Sequence, residues 1–91
     1  MIAKRVIFTG RVQGVGFRYT TKEIATGFDV CGAIKNLQDG TVELEVMGEP
    51  EEVKEYLEHI TEESPIAHFI KEVKIDDIPL LEEARGFKIA R

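Results

Sequence analysis

The sequence predicts an α+β domain in which two helices cover one face of an antiparallel β-sheet. Three observations lead to this fold class. Two stretches with the period of a helix alternate with stretches that have the period of strands, a β-hairpin signal lies between the helices, and 91 residues suffice for a single core. With 43% hydrophobic and 32% charged residues, the composition is that of a folded globular domain. We therefore expect one domain spanning 1–91.

The first strand and the first helix follow from a change in hydrophobic period around a pair of glycines. From about Ala3 to Val12, apolar residues occupy alternate positions, as in a half-buried strand. From about Arg18 to Thr26 the apolar spacing is helical, and Gly27 is the expected C-terminal cap. The loop between these elements thus lies where a strand ends and a helix begins.

The centre of the chain predicts a β-hairpin followed by the second helix. Residues 28–37 and the alternating stretch "TVELEVMG" flank an Asp39–Gly40 turn, the sequence typical of a tight hairpin. Pro50 and two glutamates then favour a helix start, and apolar residues continue at helical spacing to about Thr61.

Two further strands complete the predicted order. The stretch "AHFIKEVKID" alternates weakly, and Phe87 and Ile89 indicate a short extra strand at the C-terminal edge. The order β-α-β-β-α-β with this terminal strand is the split βαβ pattern of the ferredoxin-like α/β sandwich. Because this fold carries many unrelated functions, the function has to be inferred from the sites.

Charge and cysteine content exclude several classes of function. A formal net charge of -5 argues against general binding of nucleic acid or a membrane surface, so any anion site is local. Cys31 is the only cysteine, which precludes an intrachain disulfide and suits a reducing cytoplasm. The first residues lack the apolar run of a signal peptide or a membrane span. His59 and His68 have no partners at metal-ligand spacing, so we expect no metal site.

The loop "RVQGVGFR", from Arg11 to Arg18, is the first candidate site. Gly14 and Gly16 allow backbone conformations in which several amides point into one concavity, and a helix N-terminus adds positive potential there. Arg18 supplies a planar fork of donors that matches two phosphate oxygens. The alternative is a simple turn with a solvated arginine, and the spacing by itself does not decide between them.

Asn36 is the second candidate. Counted from Val30 and Ile34, it has the parity of the core-facing side, close to the end of its strand. A polar side chain facing a core needs partners, and the topology allows it to lie beside the loop. The alternative role is to order the following Asp39–Gly40 turn.

These two segments resemble a known family. "GRVQGVGFR", from Gly10 to Arg18, and "GAIKNLQDGTVELEVMG", from Gly32 to Gly48, are similar to the signature pair of the acylphosphatases, and the likeness extends to "GFKIAR". The resemblance implies a small cytoplasmic hydrolase that cleaves acyl phosphates to a carboxylate and inorganic phosphate. Ala33 departs from the pattern, since the family usually carries a bulky aromatic there, and we expect this to alter the sheet surface more than the chemistry.

The resemblance also assigns roles to residues. It implies that Arg18 and Asn36 are catalytic, with Asn36 positioning the attacking water, and that the loop binds the phosphoryl group. No cofactor or metal is expected, inorganic phosphate is expected to act as product and inhibitor, and neither nucleic acid nor membrane is an expected partner. We expect a monomer. The implied phosphate-binding residues are Gln13, Gly14, Val15, Gly16, Phe17 and Arg18.

Two other classes of function compete with this one. A non-catalytic module that binds phosphate or a partner is possible on the same fold, as in acylphosphatase-like domains of larger maturation proteins. The short chain and the presence of both Arg18 and Asn36 favour the enzyme. A regulatory domain for a small ligand has no support beyond the fold.

Overall fold

The computed structural model describes residues 1–82 and 84–90. Its five strands form one sheet in the order β4-β1-β3-β2-β5. The elements are β1 (Ile2–Gly10), α1 (Phe17–Ala25), β2 (Val30–Asn36), β3 (Val42–Gly48), α2 (Pro50–Glu58), β4 (Ile70–Ile78) and β5 (Phe87–Ile89). This arrangement confirms the predicted ferredoxin-like sandwich.

Pairing within the sheet is antiparallel except at one edge. β1 pairs with β3 and β4, and β2 with β3, all antiparallel, whereas β5 lies parallel to β2. The sheet is therefore mixed, with the parallel strand β5 at the edge opposite β4. The predicted short edge strand is present, and only its direction differs from a fully antiparallel sheet.

The core lies between the sheet and the two helices. Its central side chains are fully buried and come from every second position of the strands and from one stripe of each helix. They include Val6, Phe8, Phe17, Ile34, Leu44, Val53 and Tyr56. The hydroxyl of Tyr56 donates to the carbonyl of Thr21 at 3.0 Å, which ties α2 to α1 across the core.

Several boundaries differ from the predicted ones for local reasons. β1 ends at Gly10, and Val12 is instead buried within the loop that follows. α1 ends at Ala25, and its last turn tightens through the Thr26 amide, which donates to the Glu23 carbonyl at 3.1 Å. Gly27 was the wrong choice for the cap: it lies beyond Thr26 and is not among the residues with positive φ.

The second helix and the fourth strand also differ at their ends. The α-helical part of α2 stops at Glu58 and continues as a π-helical turn, His59–Glu63, in which the Ser64 amide donates to the His59 carbonyl. A 3₁₀ turn, Ala67–Phe69, precedes β4, so the strand begins later than its alternating pattern predicts.

Candidate active site

The loop between β1 and α1 is anchored in the core at both ends. Val12 and Phe17 are each only 1% exposed, so the chain between them is held against the sheet. Gly14 and Gly16 have φ angles of 77° and 76°, in the left-handed region that favours glycine. A Cβ atom at either glycine meets no atom within 4 Å, so the outer side of the loop is open. The glycines are thus required for backbone conformation, and they leave space for a ligand.

The backbone amides of this loop and of the first turn of α1 are free to donate hydrogen bonds. Within residues 1–82 and 84–90, the amides from Gln13 to Tyr19 donate to no backbone carbonyl, and the first helical bond runs from Thr20 to Gly16 at 3.0 Å. The first turn of α1 carries no acidic residue that competes for these donors. A run of free amides at the positive end of a helix is suited to bind an anion.

Arg18 lies in the first turn of α1, next to the C-terminal edge of the sheet. Its Nη1 donates to the carbonyl of Ala90 at 3.4 Å, and the Ala90 amide donates to the carbonyl of Ile34 at 2.7 Å. This chain of contacts orients the guanidinium from the side of β5. Because a guanidinium has five N–H donors, the long bond to Ala90 leaves most of the fork available to a phosphate.

Asn36 is the last residue of β2 and shares the helix-facing side of the sheet with Ile34. Asn36 pairs with Val42 of β3, and Val42 pairs on its other side with Phe8 of β1. Asn36 therefore lies two strand spacings, or about 10 Å, from β1. Its Oδ1 is buried and has no hydrogen-bond partner within the described chain. This oxygen is therefore free to accept a hydrogen bond from a water or a substrate.

Gln13 brings the loop and the hairpin together. Its Nε2 donates to the carbonyls of Leu37 and Thr41, both at 2.9 Å, across the gap between β1 and the β2–β3 turn. The loop therefore contacts the residue that directly follows Asn36. This contact and the contact from Arg18 to Ala90 involve only backbone acceptors, which have no sequence signal, so neither is predictable from the sequence.

The apolar side chains of the loop pack against the core. Phe17 is buried, with its ring 5.1 Å from that of Phe8, and Val15 packs against the core. Their side chains thus stabilise the loop, and their backbone amides have no backbone acceptor in the described chain. All the residues from Gln13 to Arg18 lie on one short segment, and Asn36 is brought to its side through the contact from Gln13 to Leu37.

The turn after Asn36 is ordered by a different residue. Asp39 accepts hydrogen bonds from the amide and the hydroxyl of Thr41, at 3.0 and 2.6 Å, and these bonds lower the pKa of its carboxyl. In the described structure the turn therefore does not depend on the Asn36 side chain, which leaves that side chain available for another role.

Other features of the surface lie away from this segment. An apolar groove of about 400 Å³ is formed between α2 and the β1–β4 edge, and its lining includes Val53, Leu57, Val73 and Ile75 but neither Arg18 nor Asn36. Across residues 1–82 and 84–90, no group of three His, Cys, Asp or Glu side chains has metal-ligand geometry. No helix of the described chain has the length and apolar character needed to span a bilayer.

A ferredoxin-like sandwich with unpaired amides in a strand–loop–helix turn, an arginine in the first helical turn and a buried asparagine oxygen on β2 has the donor arrangement of a small domain suited to bind an anion. Comparison with known proteins is more specific. The family model for acylphosphatase matches residues 4–89. The chain therefore belongs to the acylphosphatase family.

Individual relatives agree with this assignment. An acylphosphatase from Listeria monocytogenes is 41% identical over 81 residues, which cover 89% of this chain and 87% of that protein. The crystal structure of acylphosphatase from Bacillus subtilis superposes with a TM-score of 0.89 at 32% identity, and covers both chains completely. A part of T. kodakarensis HypF is also similar, with a TM-score of 0.86 and 30% identity, but this chain covers only 12% of it.

Proposed function

We propose that this protein hydrolyses acyl phosphates to a carboxylate and inorganic phosphate at the β1–α1 loop. The observation that carries the proposal is the run of unpaired amides from Gln13 to Tyr19, called the cradle below, which contains two glycines with positive φ and includes Arg18. Hydrogen bonds from these amides and from the guanidinium match the oxygens of a phosphoryl group. Family membership supports the same reaction.

The first role of the site is to hold the phosphoryl group. The cradle amides and Arg18 donate to its nonbridging oxygens and stabilise the charge that they carry in the transition state. These donors are held in place before substrate binds, because the burial of Val12 and Phe17 fixes the loop and the Ala90 carbonyl, just after β5, accepts a hydrogen bond from Arg18. Preorganised donors of this kind lower the barrier without reorganising during the reaction.

The second role is to supply the nucleophile. Asn36 accepts a hydrogen bond from a water through its buried Oδ1 and holds that water in line with the phosphorus and the leaving oxygen. The water oxygen attacks phosphorus, and the bond from phosphorus to the acyl oxygen breaks. A phosphate oxygen of the substrate takes the proton of the water, and the products are a carboxylate and inorganic phosphate.

The leaving group explains why the site needs no acidic or basic side chain. The carboxylate that departs has a conjugate acid with a pKa near that of a glutamate side chain, about 4.3, so it leaves without protonation. Positioning and electrostatic stabilisation then account for the reaction, and no covalent intermediate is involved.

The experiment that tests this function is phosphate release from a synthetic aryl acyl phosphate. We expect the purified protein to release phosphate and to be inhibited competitively by inorganic phosphate. Asn36→Ala should bind phosphate almost as tightly as the parent and lose most of its turnover, whereas Arg18→Ala should lose both. Circular dichroism confirms that each variant is folded.

Three results would contradict this division of roles. No phosphate release by the parent would leave only a non-catalytic module that binds phosphate or a partner, the competing class of function that the sequence allows. Full activity in folded Asn36→Ala would remove Asn36 from the mechanism. An equal loss of phosphate affinity and turnover in Asn36→Ala would make it a phosphate ligand instead.

A further inference from the structure

The side chain of Gln13 has a role different from that of the backbone of the loop. A glutamine amide has two N–H hydrogens, and the Nε2 of Gln13 donates one to the Leu37 carbonyl and one to the Thr41 carbonyl, both at 2.9 Å. No side-chain donor then remains for a phosphate, and the Oε1 of the amide is an acceptor that an anion avoids. Of the groups of Gln13, only the backbone amide is thus suited to the cradle.

The two carbonyls that accept from Gln13 belong to Leu37 and Thr41, the residues at the two ends of the β2–β3 turn. The Leu37 amide donates to the same Thr41 carbonyl at 2.9 Å, and the Gly40 amide donates to the Leu37 carbonyl at 3.2 Å. Thr41 is held in turn by two hydrogen bonds to Asp39. Gln13 is therefore bound to an ordered part of the hairpin and not to a free loop end.

This anchor lies directly beside Asn36. Asn36 precedes Leu37 in the chain, and its cross-strand partner Val42 follows Thr41. Any movement of the Leu37 and Thr41 carbonyls relative to the loop also moves Asn36 relative to the cradle. Within the described chain, the Gln13 side chain makes the only side-chain hydrogen bonds that join the loop to this turn.

We infer that Gln13 is a positioning residue, which fixes the separation between the phosphate cradle and the water held by Asn36. This inference rests on the proposed function and deepens it. The effect is expected in the chemical step, because a displacement of about 1 Å between the reacting groups costs roughly 10²-fold in rate. Phosphate affinity depends on the cradle amides and Arg18, which Gln13 leaves in place.

The first test is Gln13→Met, which keeps the length of the side chain and removes both donors. We expect kcat for an aryl acyl phosphate to fall between about 10-fold and 100-fold. The inhibition constant for inorganic phosphate should stay within about 3-fold, since the cradle donors are retained. A residue with a merely structural role lowers thermal stability without separating kcat from phosphate affinity in this way.

The second test is Gln13→Glu, which has the same shape as the parent side chain. When ionised, the introduced carboxylate faces two carbonyls without a donor, whereas its protonated form has one O–H to donate. The ratio of kcat in this variant to that of the parent should therefore rise as the pH falls towards 5. The same ratio for Gln13→Met should not depend on pH, which makes it the matched control.

The outcomes separate this inference from the proposed function. Phosphate release by the parent tests the function and involves no substitution. Given an active parent, full kcat in folded Gln13→Met, or equal losses in kcat and phosphate affinity, overturns the positioning role. If Gln13→Met does not fold, Gln13→Glu decides: a ratio that rises at low pH supports the role, and a ratio independent of pH contradicts it.

Discussion

Replacing Arg18 with lysine separates the geometry of the guanidinium from its charge. The side chain in the protein donates to Ala90 with one nitrogen at 3.4 Å and retains the rest of its planar fork for the phosphoryl group. Lysine keeps the positive charge but cannot form two parallel hydrogen bonds to one phosphate. The variant thus loses one preorganised donor while the amides of the loop remain.

The expected size of the effect follows from these contacts. Loss of one preorganised donor costs about 10²-fold to 10³-fold in rate, or about 2.7–4 kcal/mol. We therefore expect kcat/KM of Arg18→Lys to fall at least about 10²-fold. The bond to Ala90 is long and only partly buried, so its loss should cost less than about 1 kcal/mol of stability. For a domain of this size, a loss of about 1 kcal/mol lowers Tm by about 4–8 °C, so we expect Arg18→Lys to lower Tm by less than that.

The assay is phosphate release from an aryl acyl phosphate, with thermal unfolding measured on the same preparations. Arg11→Lys is the matched control, because Arg11 is an exposed arginine at the other end of the loop. We expect the control to keep kcat/KM within about 3-fold of the parent. Near-normal kcat/KM in folded Arg18→Lys would refute the paired contact and remove the fork of Arg18 from the mechanism.

Three further predictions concern metals, the core and the sheet surface. Activity should survive exhaustive chelation, because the cradle amides and Arg18 supply the charge stabilisation; loss with chelator and recovery with Mg²⁺ or Zn²⁺ would contradict this. Burial raises the pKa of Tyr56, so the folded state holds this proton more tightly and its contribution to stability falls as the pH rises above about 10. In denaturant titrations, Tyr56→Phe should lose about 1 kcal/mol near neutral pH with the bond to Thr21 and should weaken the alkaline loss, whereas exposed Tyr19→Phe should leave the stability near neutral pH unchanged. Ala33→Tyr should raise Tm without changing kcat/KM, because Ala33 lines an open space of about 320 Å³ beside Leu81 that a ring can occupy; an unchanged or lower Tm would show that the ring does not pack there.

The sequence predicts the fold where local signals and burial agree. The β2–β3 hairpin is correct because strict alternation and the Asp39–Gly40 turn both favour the same register. The end of α1 is displaced because its last turn is completed at Thr26 by backbone bonds, so Gly27 is not needed as a left-handed cap. The direction of β5 has no local signal, since a strand of three residues takes its direction from the sheet edge that it joins.

For the candidate site, the sequence predicts where the side chains lie but not their hydrogen-bond partners. The inward parity of Asn36 and the position of Arg18 at a helix start follow from hydrophobic period alone, and the structure has Asn36 on the core-facing side with its Oδ1 buried. The partners of Gln13 and Arg18 are backbone carbonyls of Leu37, Thr41 and Ala90. Every residue has such a carbonyl, so only tertiary structure determines which ones are reached.

Binding of phosphate by the amides of the loop is tested most directly by titrating the ¹⁵N-labelled protein with inorganic phosphate and following the resonances by NMR. We expect the amide resonances from Gln13 to Tyr19 to shift most and to saturate together, and we expect these shifts to persist in Asn36→Ala and to disappear in Arg18→Ala. Unchanged loop resonances, or the largest shifts at another surface such as the groove between α2 and β4, would contradict it.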